Sequence, residues 1–128
     1  MAAASDLSHR IDVIERGYEY LLAYAAQGRQ TDAGSEARQT LANMFDALAG
    51  LDELLASAIR SASNAGAQDA AGFIDATRED ARKARGAIGL VLSRPAISSL
   101  LVDNLNASIH LRALLTDIFL VEQALKTA

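Results

Sequence analysis

Apolar residues recur along this chain at steps of three and four, the spacing that places side chains on one face of an α-helix. Four stripes of this kind follow one another and predict helices over about residues 6–27, 32–64, 69–93 and 95–126. The stripe of the second predicted helix shows the alternation clearly and consists of Ala37, Leu41, Met44, Leu48, Leu51, Leu55, Ala58 and Ala62.

Glycine and proline mark the boundaries between these stripes. Gly28 is expected to adopt the left-handed conformation after the first helix. Arg94 and Pro95 end the third helix, because the residue before a proline is driven out of the helical region. Gly50 lies inside the second predicted helix, where it costs about 1 kcal/mol relative to alanine. Short loops between four helices favour antiparallel neighbours. The sequence therefore predicts one all-α domain over residues 1–128, folded as an antiparallel up-down-up-down four-helix bundle.

Polar residues before two of the stripes are suited to cap the first turn of a helix. A serine, threonine or aspartate side chain accepts a hydrogen bond from a free N–H group there. We expect Ser5 or Ser8 to open the first helix, and Thr31, Asp32 or Ser35 to open the second.

The last predicted helix, residues 95–126, is apolar almost all round. Val102, Ile109 and Leu120 lie nearly opposite its main stripe when the residues are placed at helical spacing. A helix of this kind needs cover on most sides, so we expect it to lie centrally or to face a second chain, and we predict a homodimer. Asn104 falls on the main stripe and is expected to bond across to another helix.

Composition supports the all-α prediction and limits the partners and the cellular location. Alanine and leucine supply 27 and 18 of the 128 residues, and there is one proline. A net charge of −4 opposes non-specific binding to nucleic acid. Neither an apolar run long enough to cross a membrane nor a basic segment leading into an apolar one is present. There is no cysteine. We therefore expect a cytoplasmic protein that binds neither nucleic acid nor membrane.

Motifs of familiar catalytic chemistry are missing from the sequence. Di-iron proteins built on four-helix bundles carry Glu-x-x-His on two helices, and no glutamate here is followed by histidine at that spacing. Phosphate-binding loops, dinucleotide fingerprints and the Gly-x-Ser-x-Gly motif are also absent. The sequence predicts a protein that is not an enzyme and that has no cofactor and no metal site.

His110 suggests an alternative function. A histidine facing solvent on a four-helix bundle of this length resembles the layout of histidine phosphotransfer domains, which exchange a phosphoryl group with response regulators. Those domains usually carry His-x-x-Lys-Gly, whereas here Ala113 and Leu114 stand where the lysine and the glycine would be. The resemblance covers the architecture, and it implies His110 as the phosphoacceptor.

The third predicted helix carries a basic stripe of Arg78, Arg82 and Arg85, with Lys83 beside it. Glu79 precedes Lys83 by four positions, the favourable order for an ion pair on a helix. We interpret the stripe as a solvated and locally paired face, with an anionic partner as the alternative.

Tyr20 and Tyr24 lie one turn apart on the first helix, beside Gly17. Tyrosines offer a large contact area, and a gap over the glycine would accept a side chain of a partner. The alternative is that the two rings close the edge of the core with their hydroxyl groups in water.

The leading hypothesis from the sequence is a non-enzymatic helical interaction module, such as an adaptor, scaffold or regulatory subunit. It would act through self-association or through a helical protein partner. The predicted interface residues are Val102, Ile109, Leu120, Tyr20 and Tyr24. A second alternative, beside histidine phosphotransfer, is a binder of a small ligand in the bundle core, in space left by small residues: Ala81, Ala84, Gly86 and Gly89.

Overall fold

The computed structural model describes residues 2–63 and 67–127, and in these ranges it contains six helices and no strand. The prediction of an all-α protein is thus confirmed. The helices are α1 (Ala2–Ala25), α2 (Ala37–Leu48), α3 (Leu51–Ser63), α4 (Ala67–Leu92), α5 (Ser99–Ala107) and α6 (Ile109–Thr127).

The first helix begins earlier than its predicted caps, at Ala2, and ends at Ala25. Gly28 has the predicted left-handed conformation, with φ of 66°. The polar residues expected to cap the second helix belong instead to the loop after α1. Glu36 occupies the N-cap of α2 and makes no capping hydrogen bond with its side chain.

The prediction of one helix over residues 32–64 is wrong, because the chain breaks between α2 and α3. Gly50 has a φ of 74°, a conformation that glycine adopts without steric cost and that ends a helix. Arg10 of α1 stabilises this end, since its guanidinium donates to the carbonyl groups of Asp46, Ala47 and Ala49. The cation lies where the partial negative charge of the helix C-terminus is found.

The prediction of one helix over residues 95–126 is also wrong. Ser98 caps α5 by accepting a hydrogen bond from the N–H of Leu101, and Ser108 then leaves the helical conformation with φ of −60° and ψ of 124°. Val102 of α5 and Leu111 of α6 are both fully buried. On a continuous helix these two residues would point in opposite directions, since nine positions at about 100° each end half a turn apart.

The break at Ser108 therefore explains the apolar residues on both sides of the predicted helix. The two helices have different neighbours: α5 packs mainly against α1, whereas α6 packs mainly against α4. Each helix has one buried face, and the buried faces of α5 and α6 point in different directions. The apolar residues on both sides of the predicted helix reflect this difference. They do not require a second chain to cover the other side.

Asn106, and not Asn104, is the buried asparagine of α5. Asn104 is exposed, whereas Asn106 is 6% exposed and its Nδ2 donates to the carbonyl oxygen of Leu21 at 3.0 Å. The apolar stripe of α6, continued backwards through Ser108, places Asn104 on the buried side, so the prediction for Asn104 is wrong.

Packing between the helices is uneven. Extensive contact joins α4 to α2, α3 and α6, and joins α1 to α2 and α5. By contrast, α1 and α6 scarcely contact each other. This leaves an open edge between these two helices.

Candidate functional site

A groove of about 250 Å³ lies along the open edge between α1 and α6. It forms because α5 covers the C-terminal part of α1 and the chain then turns at Ser108, so that α6 follows α4 instead. The side chains that line it come from these two helices alone: Glu15, Tyr18, Glu19, Arg112, Leu115, Thr116 and Phe119.

The groove has an apolar floor. Leu115 is 5% exposed, Tyr18 is half-buried, and the ring of Phe119 is 52% exposed. Leu22, which is 48% exposed, follows Tyr18 by one helical turn on α1. Single exposed apolar residues are ordinary, but several side by side between two helices are typical of a binding surface.

Carboxyl groups crowd one side of this groove. Glu15 makes a hydrogen bond with Glu122 of α6, and Asp12 and Glu19 lie near it on α1. Burial raises the pKa of Glu15, and the charges of Glu122, Asp12 and Glu19 raise it further. We call these four residues the acidic edge; Arg112 is the basic residue among the groove-lining side chains.

A second carboxyl pair lies where α6 packs on α4. Burial raises the pKa of Asp117 to about 6, and the hydrogen bond that protonated Asp117 donates to Asp80, together with the charge of Asp80, adds to the shift. Since Glu122 lies beside Glu15 of α1, α6 has one pair of neighbouring carboxyl groups toward α1 and another toward α4.

The predicted interface residues of the last predicted helix do not form one surface. Leu120 is 57% exposed on α6, as expected for an interface residue. Val102 is fully buried within the chain, so its assignment to an exposed interface is wrong. Ile109 begins α6, and its side chain lies outside the described residues.

Tyr20 and Tyr24 hold loops of the same chain together. Tyr24 is fully buried, and its hydroxyl donates to the carbonyl oxygen of Ile97 at 2.6 Å. The Tyr20 ring stacks on Tyr24 with 6.1 Å between centroids, and its hydroxyl accepts the N–H of Glu36 at 3.1 Å. Met44 fills the expected gap over Gly17. Tyr24 therefore serves the fold. A pocket of about 240 Å³ between α1 and α2 does include Gly17 and Tyr20 in its lining, so the assignment of Tyr20 to a partner interface stays a prediction.

His110 is the second residue of α6, directly after the break, and not a residue of a helix interior. Its side chain lies outside the described residues. The phosphoacceptor assignment therefore stays a prediction.

The basic stripe connects α4 to α2 and α3. Arg78 pairs with Glu53, and Arg82 lies 3.6 Å from Asp52. The guanidinium of Arg85 stacks over the ring of Phe45 at 3.8 Å from its centroid. The local pairing expected within the helix is also present, because Glu79 lies 4.0 Å from Lys83 and 3.6 Å from Arg82.

The small residues of α4 also serve packing. Ala81 and Ala84 are buried, and a Cβ atom on Gly89 would lie 3.1 Å from the Phe45 ring. The Phe45 side chain thus occupies the space beside Gly89, where the hypothesis of a ligand in the core expected room.

The groove could not be predicted from the sequence alone. Glu15, Tyr18, Glu19 and Leu22 share one face of α1 by their spacing, and this face was visible in the sequence. Its position opposite α6 was not visible, because it depends on the break at Ser108.

Comparison with known proteins finds no matching family model, no matching curated protein and no matching solved structure. In the part of the chain that the structure describes, no helix has the length and apolar character needed to cross a membrane. The same part contains no group of three or more histidine, aspartate or glutamate side chains arranged to hold a metal ion.

Proposed function

We propose that this protein is a non-enzymatic helical interaction module that binds a helix of another protein in the groove between α1 and α6. The observation that supports this proposal is the open apolar floor of Tyr18, Leu115 and Phe119 between two helices that scarcely contact each other. An amphipathic helix that lays its apolar face into a groove is a common mode of recognition between proteins.

The size of the groove favours side chains of a helix over a small ligand. Pockets for drug-sized ligands usually enclose about 300–1,000 Å³ and bury most of the ligand. The groove holds about 250 Å³ and is open along its length. It therefore suits a few anchor side chains that project from a longer segment.

The proposed arrangement of the six helices as a four-helix bundle explains where the groove lies. We propose that α2 with α3, and α5 with α6, each act as one interrupted helix of an antiparallel four-helix bundle. Packing supports this grouping, because α1 and α4 both contact members of each pair. The groove is then an edge at which two neighbouring helices of the bundle separate, and a helix added there would cover the exposed ring of Phe119.

Self-association is the other form of this proposal, with a second copy of the chain as the helical partner. The homodimer was predicted from apolar residues on both sides of the last predicted helix. The structure weakens this argument, since one of them, Val102, is buried within one chain. The exposed Leu120 and Phe119 leave α6 as the surface through which a homodimer would form.

Three synthetic helical peptides test the proposal. They share an apolar face of leucines at positions i, i+3, i+4 and i+7, and carry glutamine, lysine with arginine, or glutamate on the remaining positions. We expect at least one peptide to bind the full chain in a fluorescence anisotropy titration. Phe119→Ser should weaken that binding at least tenfold, because it removes the largest exposed side chain of the floor.

Leu90→Ser is the matched control for this variant. Leu90 is 67% exposed on α4, which does not line the groove, so its replacement should leave peptide binding unchanged. Circular dichroism should show that both variants keep the helical content of the parent. Absence of binding by all three peptides, or equal binding to the Phe119→Ser variant, would refute the proposal.

A further inference from the structure

We propose that the α1–α6 groove selects a basic amphipathic helix from a protein other than this one. The inference rests on the proposed function and names the chemistry of the partner. Its basis is the acidic edge of Asp12, Glu15, Glu19 and Glu122, which runs beside the apolar floor.

Among the described side chains, the four carboxylates of the acidic edge have two cations recorded beside them, Arg16 and Arg112. Arg16 pairs with Asp12 at 3.1 Å, but the charged groups that act most strongly on Glu15 are all carboxylates: Glu122, Asp12 and Glu19. Carboxylates that crowd one another raise the free energy of the unbound surface. Lysine or arginine side chains brought by a partner would relieve this repulsion, and they would be attracted to the groove before contact.

A second copy of this chain is poorly equipped to supply those cations. At least eight of its twelve basic residues already bond to groups of their own chain. They are Arg10, Arg16, Arg29, Arg38, Arg78, Arg82, Lys83 and Arg85. Placing the acidic edge against another chain with a net charge of −4 would bring like charges together. The occupant is therefore a helix of different sequence.

Arg112 makes the charge of the groove differ between its α1 side and its α6 side. It projects from α6 into the lining of the groove, whereas Asp12, Glu15 and Glu19 belong to α1. A bound helix would place its cations toward α1 and a neutral or acidic side toward Arg112. Removing or reversing the charge of Arg112 should accordingly favour a helix that is basic on all its polar positions.

The three peptides described above also test this inference. In 50 mM salt we expect the basic peptide to bind at least tenfold tighter than the glutamine peptide, and the acidic peptide to bind more weakly than both. In 500 mM salt the preference for the basic peptide should shrink severalfold, because salt screens exposed charges. Arg112→Glu should tighten binding of the basic peptide.

The double variant Glu15→Gln with Glu19→Gln isolates the acidic edge. It should remove most of the preference for the basic peptide, measured as the ratio of the dissociation constants of the glutamine and basic peptides. The control is Asp75→Asn with Asp103→Asn, which removes two exposed carboxylates from α4 and α5 and changes the net charge equally. This control should retain the preference.

The possible results separate the two proposals. If the glutamine peptide binds as tightly as the basic one and Phe119→Ser weakens both, the charge inference is overturned and the proposed function stands. If no peptide binds, both are overturned. If light scattering over a hundredfold dilution shows a dimer that Phe119→Ser dissociates, the groove is occupied by a second copy, and the inference of a different basic partner is overturned.

Discussion

At the scale of single residues, Gly17 and Gly86 show how the same amino acid meets different surroundings. A Cβ atom on Gly17 would lie 2.5 Å from Cγ and Sδ of Met44, whose side chain is fully buried. A Cβ atom on Gly86, inside α4, would have nothing within 4 Å. The first glycine allows α2 to pack on α1, and the second only weakens its helix.

Alanine substitutions at these two positions should change stability in opposite directions. Gly86→Ala should raise the free energy of unfolding by about 0.5–1 kcal/mol, the usual gain from replacing a glycine in a helix. Gly17→Ala should lower it by about 1–2 kcal/mol, because displacement of Met44 outweighs the same gain. Urea denaturation measures both. A Gly17→Ala variant as stable as Gly86→Ala would show that Met44 moves aside at little cost.

Glycines also illustrate how far residue-level prediction reaches. Gly28 and Gly50 both adopt the left-handed conformation, and only the first was predicted to do so. Gly28 follows the end of an apolar stripe, whereas the stripe continues through Gly50 without a change of phase. The bonds from Arg10 to the carbonyl groups at the end of α2 come from 36 or more residues away in sequence, so the local pattern contains no sign of them.

At the scale of elements, Arg38 joins the start of α2 to the end of α4. Its Nε bonds to Asp32 Oδ2 at 3.1 Å, while its two Nη atoms donate to the carbonyl oxygens of Leu92 at 3.0 Å and Arg94 at 2.8 Å. Oδ1 of Asp32 in turn accepts the N–H of Ile97 at 2.8 Å. The two loops at this end of the molecule are thus bonded to each other.

Arg38→Lys should destabilise the protein although it keeps the charge. A lysine has one nitrogen in place of the planar fork and cannot reach the carboxylate and both carbonyl groups together. We expect a loss of about 1–2 kcal/mol in the free energy of unfolding, the size expected for hydrogen bonds with charged groups. Arg94→Lys, which changes an exposed side chain, is the control and should shift stability by less than about 0.5 kcal/mol.

The same loop junction should weaken in acid. The hydrogen bond from the Ile97 N–H, and then that from Arg38, lower the pKa of Asp32 below its ordinary value of 3.8. A carboxylate of this kind stabilises the fold at pH values above that ordinary value. Its contribution is lost as the pH falls through the lowered pKa.

The break between α5 and α6 shows why the bounds of these two helices could not be predicted from the sequence. Neither glycine nor proline marks Ser108, so no local signal opposed a continuous helix. Apolar residues such as Val102 opposite the main stripe are the only sign of the break in the sequence. The same pattern is expected for a helix that faces a partner, so it does not distinguish a partner surface from two short helices with opposite buried faces.

At the scale of the whole molecule, the groove follows from the distribution of charge and packing together. Five of the ten arginines join helices or bind carbonyl groups at helix ends: Arg10, Arg38, Arg78, Arg82 and Arg85. Among the described residues, a salt bridge is recorded for one carboxylate of the acidic edge, that of Asp12 with Arg16. The fold thus leaves an acidic and apolar surface at its open edge, which the net charge alone would not locate.

The contact of the half-buried Asp117 with Asp80 should make the stability of the molecule depend on pH. The pKa of Asp117 rises from 3.8 to about 6 in the folded protein, so between these pH values the folded state holds a proton that the unfolded state has released. The free energy of unfolding therefore falls as the pH rises through this window, and the penalty stays constant above it. The raised pKa of Glu15 adds a change of the same sign above 4.5.

Asp117→Asn should remove the larger part of this dependence. The variant has no charge to bury at neutral pH, so we expect it to be more stable than the parent by about 1 kcal/mol at pH 7, after allowance for solvent screening of a partly exposed group. The difference should disappear near pH 4, where Asp117 of the parent is protonated in the folded state. Urea denaturation at pH 4, 5, 6 and 7 measures the trend, with Asp103→Asn as an exposed control that should follow the parent. A variant less stable than the parent at pH 7 would mean that the ionised Asp117 carboxylate makes a favourable contact, and the assignment of repulsion between α4 and α6 would then be incorrect.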